Sequence, residues 1–278
     1  MKQKTLYVSD LDGTLLGDDS QLSERTVNTL NEAIAAGALF TAATARTPAT
    51  AAPLLERVDI ALPLVVMSGA AMWDSGRRCF TAARRFEPAT IKQIVAVCNR
   101  HGLHPLVYRR RGNEIHVHHW GDMHPAEREF VDQRLHTWKI FHLDDRDYAR
   151  AEGEAMIVFA MNDYQRLVPV EREISATIDC RALLSHDIFV PETGLLEVYP
   201  KGTSKADAIA RLAHDCGAER VVVFGDNLND IDMMRSATWS VAVENAIEPV
   251  RREACEVIGP NTADSVARYI LRDVRCKM

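Results

Sequence analysis

Two stretches near opposite ends of the chain share one grammar, a short apolar β-prone run that stops abruptly in acids. Together they confine the fold more than anything else in the sequence. Near the start, Leu6-Tyr7-Val8-Ser9 runs into Asp10-Leu11-Asp12-Gly13-Thr14; near the end, Val221-Val222-Val223-Phe224 runs into Gly225-Asp226-Asn227-Leu228-Asn229-Asp230. Ala38-Leu39-Phe40-Thr41-Ala42-Ala43 and Leu62-Pro63-Leu64-Val65-Val66-Met67 are runs of the same kind. Continuous apolar runs suit strands buried on both faces of a parallel sheet. Helical patterns fall between them. Over 23–36, Val27, Leu30 and Ile34 recur at helical spacing, with Ser23 as N-cap and Gly37 as stop. A helix is expected around 50–58. Over 204–216, Ala208, Ile209, Leu212, Ala213 and Cys216 share one side, Ser204 with Asp207 resembles a capping box, and Gly217 terminates. A further helix, a Val241-Ala242-Val243 strand and a last helix from about Asp264 complete a βαβ alternation.

The middle of the chain breaks this grammar. Its strands alternate, as in Glu114-Ile115-His116-Val117-His118-His119, and are mixed with helical patterns over 88–101 and 125–138. Nine of the ten histidines fall there: His101, His104, His116, His118, His119, His124, His136, His142 and His186. We expect an α/β fold in which a Rossmann-like parallel-sheet core, 1–83 and 188–278, is interrupted by an α+β insert at 84–187. The length of 278 residues agrees with about two domains.

Composition excludes several classes. Lys+Arg 33 against Asp+Glu 39 leaves a formal charge of −6, which argues against a broad nucleic-acid-binding surface. No apolar run approaches the roughly 18 residues that a membrane span requires. Residues Met1 to Thr5 carry two lysines with no long apolar segment behind them, so a cleaved secretory signal is not expected. Six scattered cysteines without a CxxC pair fit reduced thiols and give no zinc framework. The expected location is the cytoplasm.

Asp10 and Asp12 emerge together at a strand's end, on the sheet edge where open α/β folds bind ligands. Two neighbouring acids disfavour joint ionisation, so they share a proton, differ in role or hold a metal. Asp226 and Asp230 follow another strand and flank Asn229. Carboxylates at two strand ends, without paired His or Cys, point to Mg²⁺ over Zn²⁺. Lys205 at a helix start and Thr44 after a strand are placed to meet an anion such as phosphate.

In this order, Asp10-Leu11-Asp12-Gly13-Thr14, Thr44-Ala45-Arg46, Lys201-Gly202-Thr203-Ser204-Lys205 and Gly225-Asp226-Asn227-Leu228-Asn229-Asp230 resemble the haloacid dehalogenase superfamily, specifically its Cof-type phosphatases with a large inserted cap. Leu196-Glu197-Val198 and Val241-Ala242-Val243 with Asn245-Ala246 look like that subfamily as well. The resemblance implies that Asp10 attacks phosphorus and becomes a transient aspartyl-phosphate. Asp12 would protonate the leaving alcohol and then activate water. Mg²⁺ would be held by Asp10, the Asp12 carbonyl and Asp226, with Asp230 supporting the metal shell. Thr44, the amides of Ala45 and Leu11, Lys205 and Asn229 would bind the phosphoryl oxygens. Dehalogenases of the superfamily lack an acid at the Asp12 position, so Asp12 favours phosphoryl transfer.

The expected substrate is a small phosphorylated metabolite, sugar phosphates first, hydrolysed by a Mg²⁺-dependent phosphatase. Alternatives are a phosphosugar mutase or phosphotransferase and a catalytically silent phospho-ligand sensor. Three positions depart from the family pattern: Ala45 and Ser265 stand where Gly is usual, and Ser68-Gly69 where Asn-Gly is usual. In the insert, His116 and His118 share a strand face and are open to a second metal, a substrate hydroxyl, or no ligand at all. Arg109-Arg110-Arg111 reads as a solvated hairpin tip, and Trp120 and Trp138 as core or docking residues.

Overall fold

The computed structural model describes residues 3–135, 137, 139–187 and 190–276. The chain divides into two compact units, Met1–Ala82 with Ser204–Met278, and Ala83–Thr203.

In the first unit the apolar runs form a five-stranded parallel sheet, in the order Glu256–Ile258, Trp239–Val243, Arg220–Gly225, Thr5–Ser9, Leu39–Ala42. An isolated parallel bridge, Ala43 to Val65, carries the ladder on to Leu64–Val66. Every residue of Thr5–Ser9 is buried, as a central strand covered on both faces requires. Register fixes the site. Ser9 lies opposite both Phe224 and Ala42, and the Asp10 amide donates to the Phe224 carbonyl at 2.9 Å. Three chain segments therefore leave the sheet at one carboxyl edge. Ser23 caps the helix Glu24–Ala35 through the Thr26 amide, and Gly217, at φ 64°, ends Lys205–Cys216. The helix expected around 50–58 occupies Pro48–Leu55, because proline at its first turn is pre-set for helical φ.

The second unit is a six-stranded sheet in the order Cys180–His186, Thr193–Pro200, Glu154–Asp163, Leu106–Arg111, Glu114–His118, Lys139–His142. All its pairings are antiparallel except the last, which is parallel. Helices Pro88–Arg100 and Tyr164–Thr177 contribute Ile91, Ile94, Leu167 and Ile174 to one cluster with Val107, Val158 and Val198 from the sheet.

The unit extends to Thr203, beyond the boundary at 187 read from sequence. Thr193–Pro200 is apolar enough to look like a core strand, yet it pairs with Glu154–Asp163 and Cys180–His186. The arginine run is also not a solvated tip. Arg109 is buried within its strand and donates to the carbonyls of Gly153 and Tyr148, Arg110 pairs with Glu154, and the turn falls at Gly112. The helix from Pro125 ends at Asp132, since the chain must straighten into Lys139–His142 to meet Glu114–His118. Trp120 packs against the cluster with Arg146 over its ring at 4.7 Å. Trp138 and His136 lie outside the described residues.

Glu127, buried in the first turn of Pro125–Asp132, accepts from the Met161 amide at 3.2 Å. Burial pushes its carboxyl up to about 8. A raised carboxyl stabilises the fold fully only below its unfolded value, and that contribution is lost as pH climbs to about 8. Replacing Glu127 with Gln, which keeps an acceptor for Met161, is expected to flatten the fall in urea stability between about pH 5 and 8. An unchanged pH profile would remove this explanation.

Candidate active site

The loop after Ser9 turns at Gly13, whose φ of 75° and position leave no space for a side chain: a Cβ there would meet Asp226 Oδ2 at 2.5 Å. The Leu11 carbonyl accepts the amides of Thr14, Leu15 and Leu16, which closes the turn. The amides of Leu11, Asp12 and Gly13 donate to no acceptor among the described residues, and neither does that of Ala45. Consecutive unpaired amides at a sheet edge form a cradle for an anion. Thr44 is buried beside them; its amide is held by the Val65 carbonyl, and its hydroxyl accepts from the Arg46 amide and keeps its own proton to donate.

Beneath the cradle lies an ion cluster. Lys205 Nζ sits 2.7 Å from both Asp10 Oδ1 and Asp230 Oδ1, and all three side chains are buried. Asp230 spends its other oxygen on the amides of Asp226 and Asn227 at 3.0 and 3.1 Å, closing a capping box with Asn227. Both of its oxygens are thus committed within the protein, so Asp230 acts through Lys205 and the loop backbone. Gly225 is required here, because a Cβ would come within 2.7 Å of Asp230. Burial and the neighbouring Asp230 raise the Asp10 carboxyl well above its ordinary value, against the pull of Lys205. Burial lowers the Lys205 ammonium, but Asp10 and Asp230 outweigh it and the net shift is upward.

Asp226 completes the group. One of its oxygens accepts the Thr14 hydroxyl at 2.6 Å, and among the described residues it has no basic side chain within ion-pair distance. Burial pushes its carboxyl up to about 6. Ligand atoms of Asp10, Asp226 and Asp230 lie within 4.8 Å of one another. Asn229 carries a buried Oδ1 without a partner among the described residues.

Asp12 has a partner that no local motif marks. Arg46 grips Asp12 with two bonds, Nε to Oδ2 at 2.8 Å and Nη2 to Oδ1 at 2.6 Å. Asp12 is 46% exposed, unlike the buried Asp10. The only signal available in sequence was that Arg46 follows Thr44 at a strand end. Ser68, in place of the usual Asn, is held at φ 53° with its hydroxyl buried and unpartnered among the described residues. Ser265 is buried and donates to the Pro260 carbonyl.

A family model described as haloacid dehalogenase-like hydrolase matches residues 7–270. The chain belongs to this family. It is 26% identical over 274 residues to a pyridoxal phosphate phosphatase of Escherichia coli, covering 94% of this chain and 95% of that one. It is 24% identical over 272 residues to a 5-amino-6-(5-phospho-D-ribitylamino)uracil phosphatase of Bacillus subtilis, covering 95% and 96%. Among solved structures, a haloacid dehalogenase-like hydrolase from Bacteroides thetaiotaomicron superposes with a TM-score of 0.78 at 21% identity, covering 98% of this chain and all of that one. The subclass IIB sugar phosphatase BT4131 superposes with a TM-score of 0.76 at 22% identity, covering 97% and 98%. The family's fold is therefore that of this chain, and its acidic motifs fall on the sheet edge just described.

Lys205→Met would leave two buried carboxylates without their shared cation. Breaking a buried pair costs about 3–5 kcal/mol, so urea unfolding at pH 7 should report a loss of that order. The loss should shrink in acid as Asp10 takes up a proton; a loss under 1 kcal/mol at pH 7 would refute the account of the cluster.

Proposed function

We propose that this protein is a Mg²⁺-dependent phosphatase of small phosphate monoesters, sugar phosphates first, working through a phosphoryl group carried on Asp10. The observation that supports this reading is the meeting of a buried carboxylate with a cradle of unpaired amides, Thr44 and Lys205, while Asp226 remains without a cation of its own. The acid set fits a hard divalent ion. Asp10, Asp226 and the Asp12 carbonyl are the oxygen donors that would hold it, and when bound Mg²⁺ supplies charge neutralisation for an anionic substrate.

The chain's own groups supply the rest. An anionic carboxylate approaches a phosphate monoester only where charge is balanced, and Lys205, the Leu11 and Ala45 amides, Thr44 and Asn229 provide donors for the phosphoryl oxygens. Asp10, held at one oxygen by Lys205, attacks phosphorus along the line of the leaving oxygen. Asp12 gives a proton to the departing alcohol, then takes one from the water that cleaves the aspartyl-phosphate. Asp12 must leave Arg46 to do so. A half-exposed pair of this kind contributes about 0.2–1 kcal/mol, little enough to open in each turnover.

Hydrolysis is favoured over a silent sensor because Asp10, Asp12, Lys205 and Asp226 are all present and assembled. Transfer to a second sugar hydroxyl is the competing outcome, and it is settled by following a labelled phosphoryl group from a phosphosugar into water or into another sugar. A screen of phosphorylated metabolites, pyridoxal phosphate included, should show turnover that needs Mg²⁺ and falls at least 10³-fold in Asp10→Asn. Turnover that survives this substitution would end the proposal.

Asp226→Asn is expected to abolish Mg²⁺-dependent turnover yet raise the stability of the metal-free protein at pH 7 to 8. A shift from 3.8 to about 6 is a penalty on the ionised form of about 2–3 kcal/mol, present above about pH 6 and relieved below it. Denaturant unfolding in chelator checks this, and a destabilised Asp226→Asn would contradict it.

A further inference from the structure

The histidine-rich unit Ala83–Thr203 contains a second cluster of metal-ligating side chains, unrelated to the carboxylates of the first unit. Alternation along Glu114–His118 puts His116 and His118 on one face, and the parallel register sets His142 directly beside His118. One ring nitrogen from each of His116, His118 and His142 lies within 4.8 Å of the others. His116 Nδ1 and His142 Nε2 are 3.0 Å apart. The three rings are nearly parallel, with centroids 4.4 to 6.3 Å apart.

Two further facts point to a ligand. Asp145 Oδ2 sits 2.7 Å from His118 Nδ1, so the carboxylate fixes the ring's orientation and its tautomer, leaving a lone pair on Nε2. That Nε2 is buried and has no partner among the described residues, although His118 is only 5% exposed. A carboxylate hydrogen-bonded to the ring of a histidine within an imidazole cluster is a common support of histidine metal sites. Asp145 is itself anchored, its amide donating to the His119 carbonyl at 3.1 Å, while the His119 amide donates to the His142 carbonyl at 2.9 Å. The same backbone links therefore fix both the ligand strand and its supporting acid.

We propose that His116, His118 and His142 form a binding site for a late first-row divalent ion, Zn²⁺ above all, with Asp145 orienting His118. The donor set selects the metal. Three imidazoles, with Asp145 on the His118 ring at 2.7 Å and Glu114 Oε2 3.4 Å from His116 Nε2, suit Zn²⁺ and its neighbours, whereas Mg²⁺ takes oxygen ligands. Zn–N bonds of about 2.0–2.1 Å in a tetrahedron place nitrogens about 3.4 Å apart, a small change from the 3.0 Å between His116 Nδ1 and His142 Nε2 and inside the 4.8 Å that bounds the three ligand atoms. The fourth position is left to water. Arg109, opposite His116 in the antiparallel ladder, commits its guanidinium to the Gly153 and Tyr148 carbonyls. A bound ion would clip the edge strand Lys139–His142, the sheet's sole parallel partner among the described strands, onto Glu114–His118 and the Asp145 segment.

The test uses the full-length protein and Co²⁺ as a spectroscopic stand-in for Zn²⁺, with Mg²⁺ in millimolar excess to occupy the carboxylates. One equivalent of Co²⁺ should bind with visible absorption of a four-coordinate nitrogen-rich site and be displaced by Zn²⁺. His118→Ala and His142→Ala should each lose the band, and Asp145→Asn should weaken binding about 10–100-fold. Asp226→Asn should leave the band unchanged, which separates this site from the phosphatase proposal. Thermal unfolding of the wild type should shift upward with Zn²⁺ at fixed Mg²⁺. Absence of stoichiometric Co²⁺ binding by the wild-type protein, or a band that survives in folded His118→Ala, would overturn the proposal and leave a histidine cluster held by hydrogen bonds alone.

Discussion

The site depends on one interaction, the Lys205 ammonium shared between Asp10 and Asp230. Three charged groups are removed from water there, and removal is tolerable only because each finds its partner at 2.7 Å. The arrangement also divides labour. Asp230 gives one oxygen to Lys205 and the other to two amides, so it holds the lysine; Asp10 keeps one oxygen outside the pair.

The sheet makes this possible. Lys205 is 195 positions from Asp10, yet parallel pairing of Thr5–Ser9 with Arg220–Gly225 delivers the acids of both motifs to one edge. Glycines hold the backbones close enough: Gly13 and Gly225 each lie where a Cβ would strike Asp226 or Asp230. The insert can depart from the same chain without disturbing these strands because it leaves and re-enters between Ala82 and Ser204, outside the five-stranded ladder.

Much of this was legible in the residues. Apolar runs ending in acids point to the parallel sheet and its acidic edge, since strands buried on both faces suit such runs, and the Ser23 and Gly217 caps mark helix ends. What escaped was set by pairing between distant segments. The Thr193–Pro200 strand joins the second unit by antiparallel partners that its apolar composition does not announce. Arg46 meets Asp12 across 34 positions, and His142 reaches His116 across 26, through a parallel register that no local pattern encodes. Arg109 reads as solvated because it belongs to a charged run, but its strand is paired on both sides and buries it.

The central claim is that Asp10 carries the phosphoryl group, and its most direct test is to trap that group. In Asp12→Ala, with an activated aryl phosphate whose departure needs no proton, formation of the acyl phosphate should outrun its hydrolysis. Acid quenching after exposure to radiolabelled substrate and Mg²⁺ should then leave close to one equivalent of label, located on the peptide containing Asp10. Turnover of that substrate with no label on Asp10 at any quench time would contradict the account.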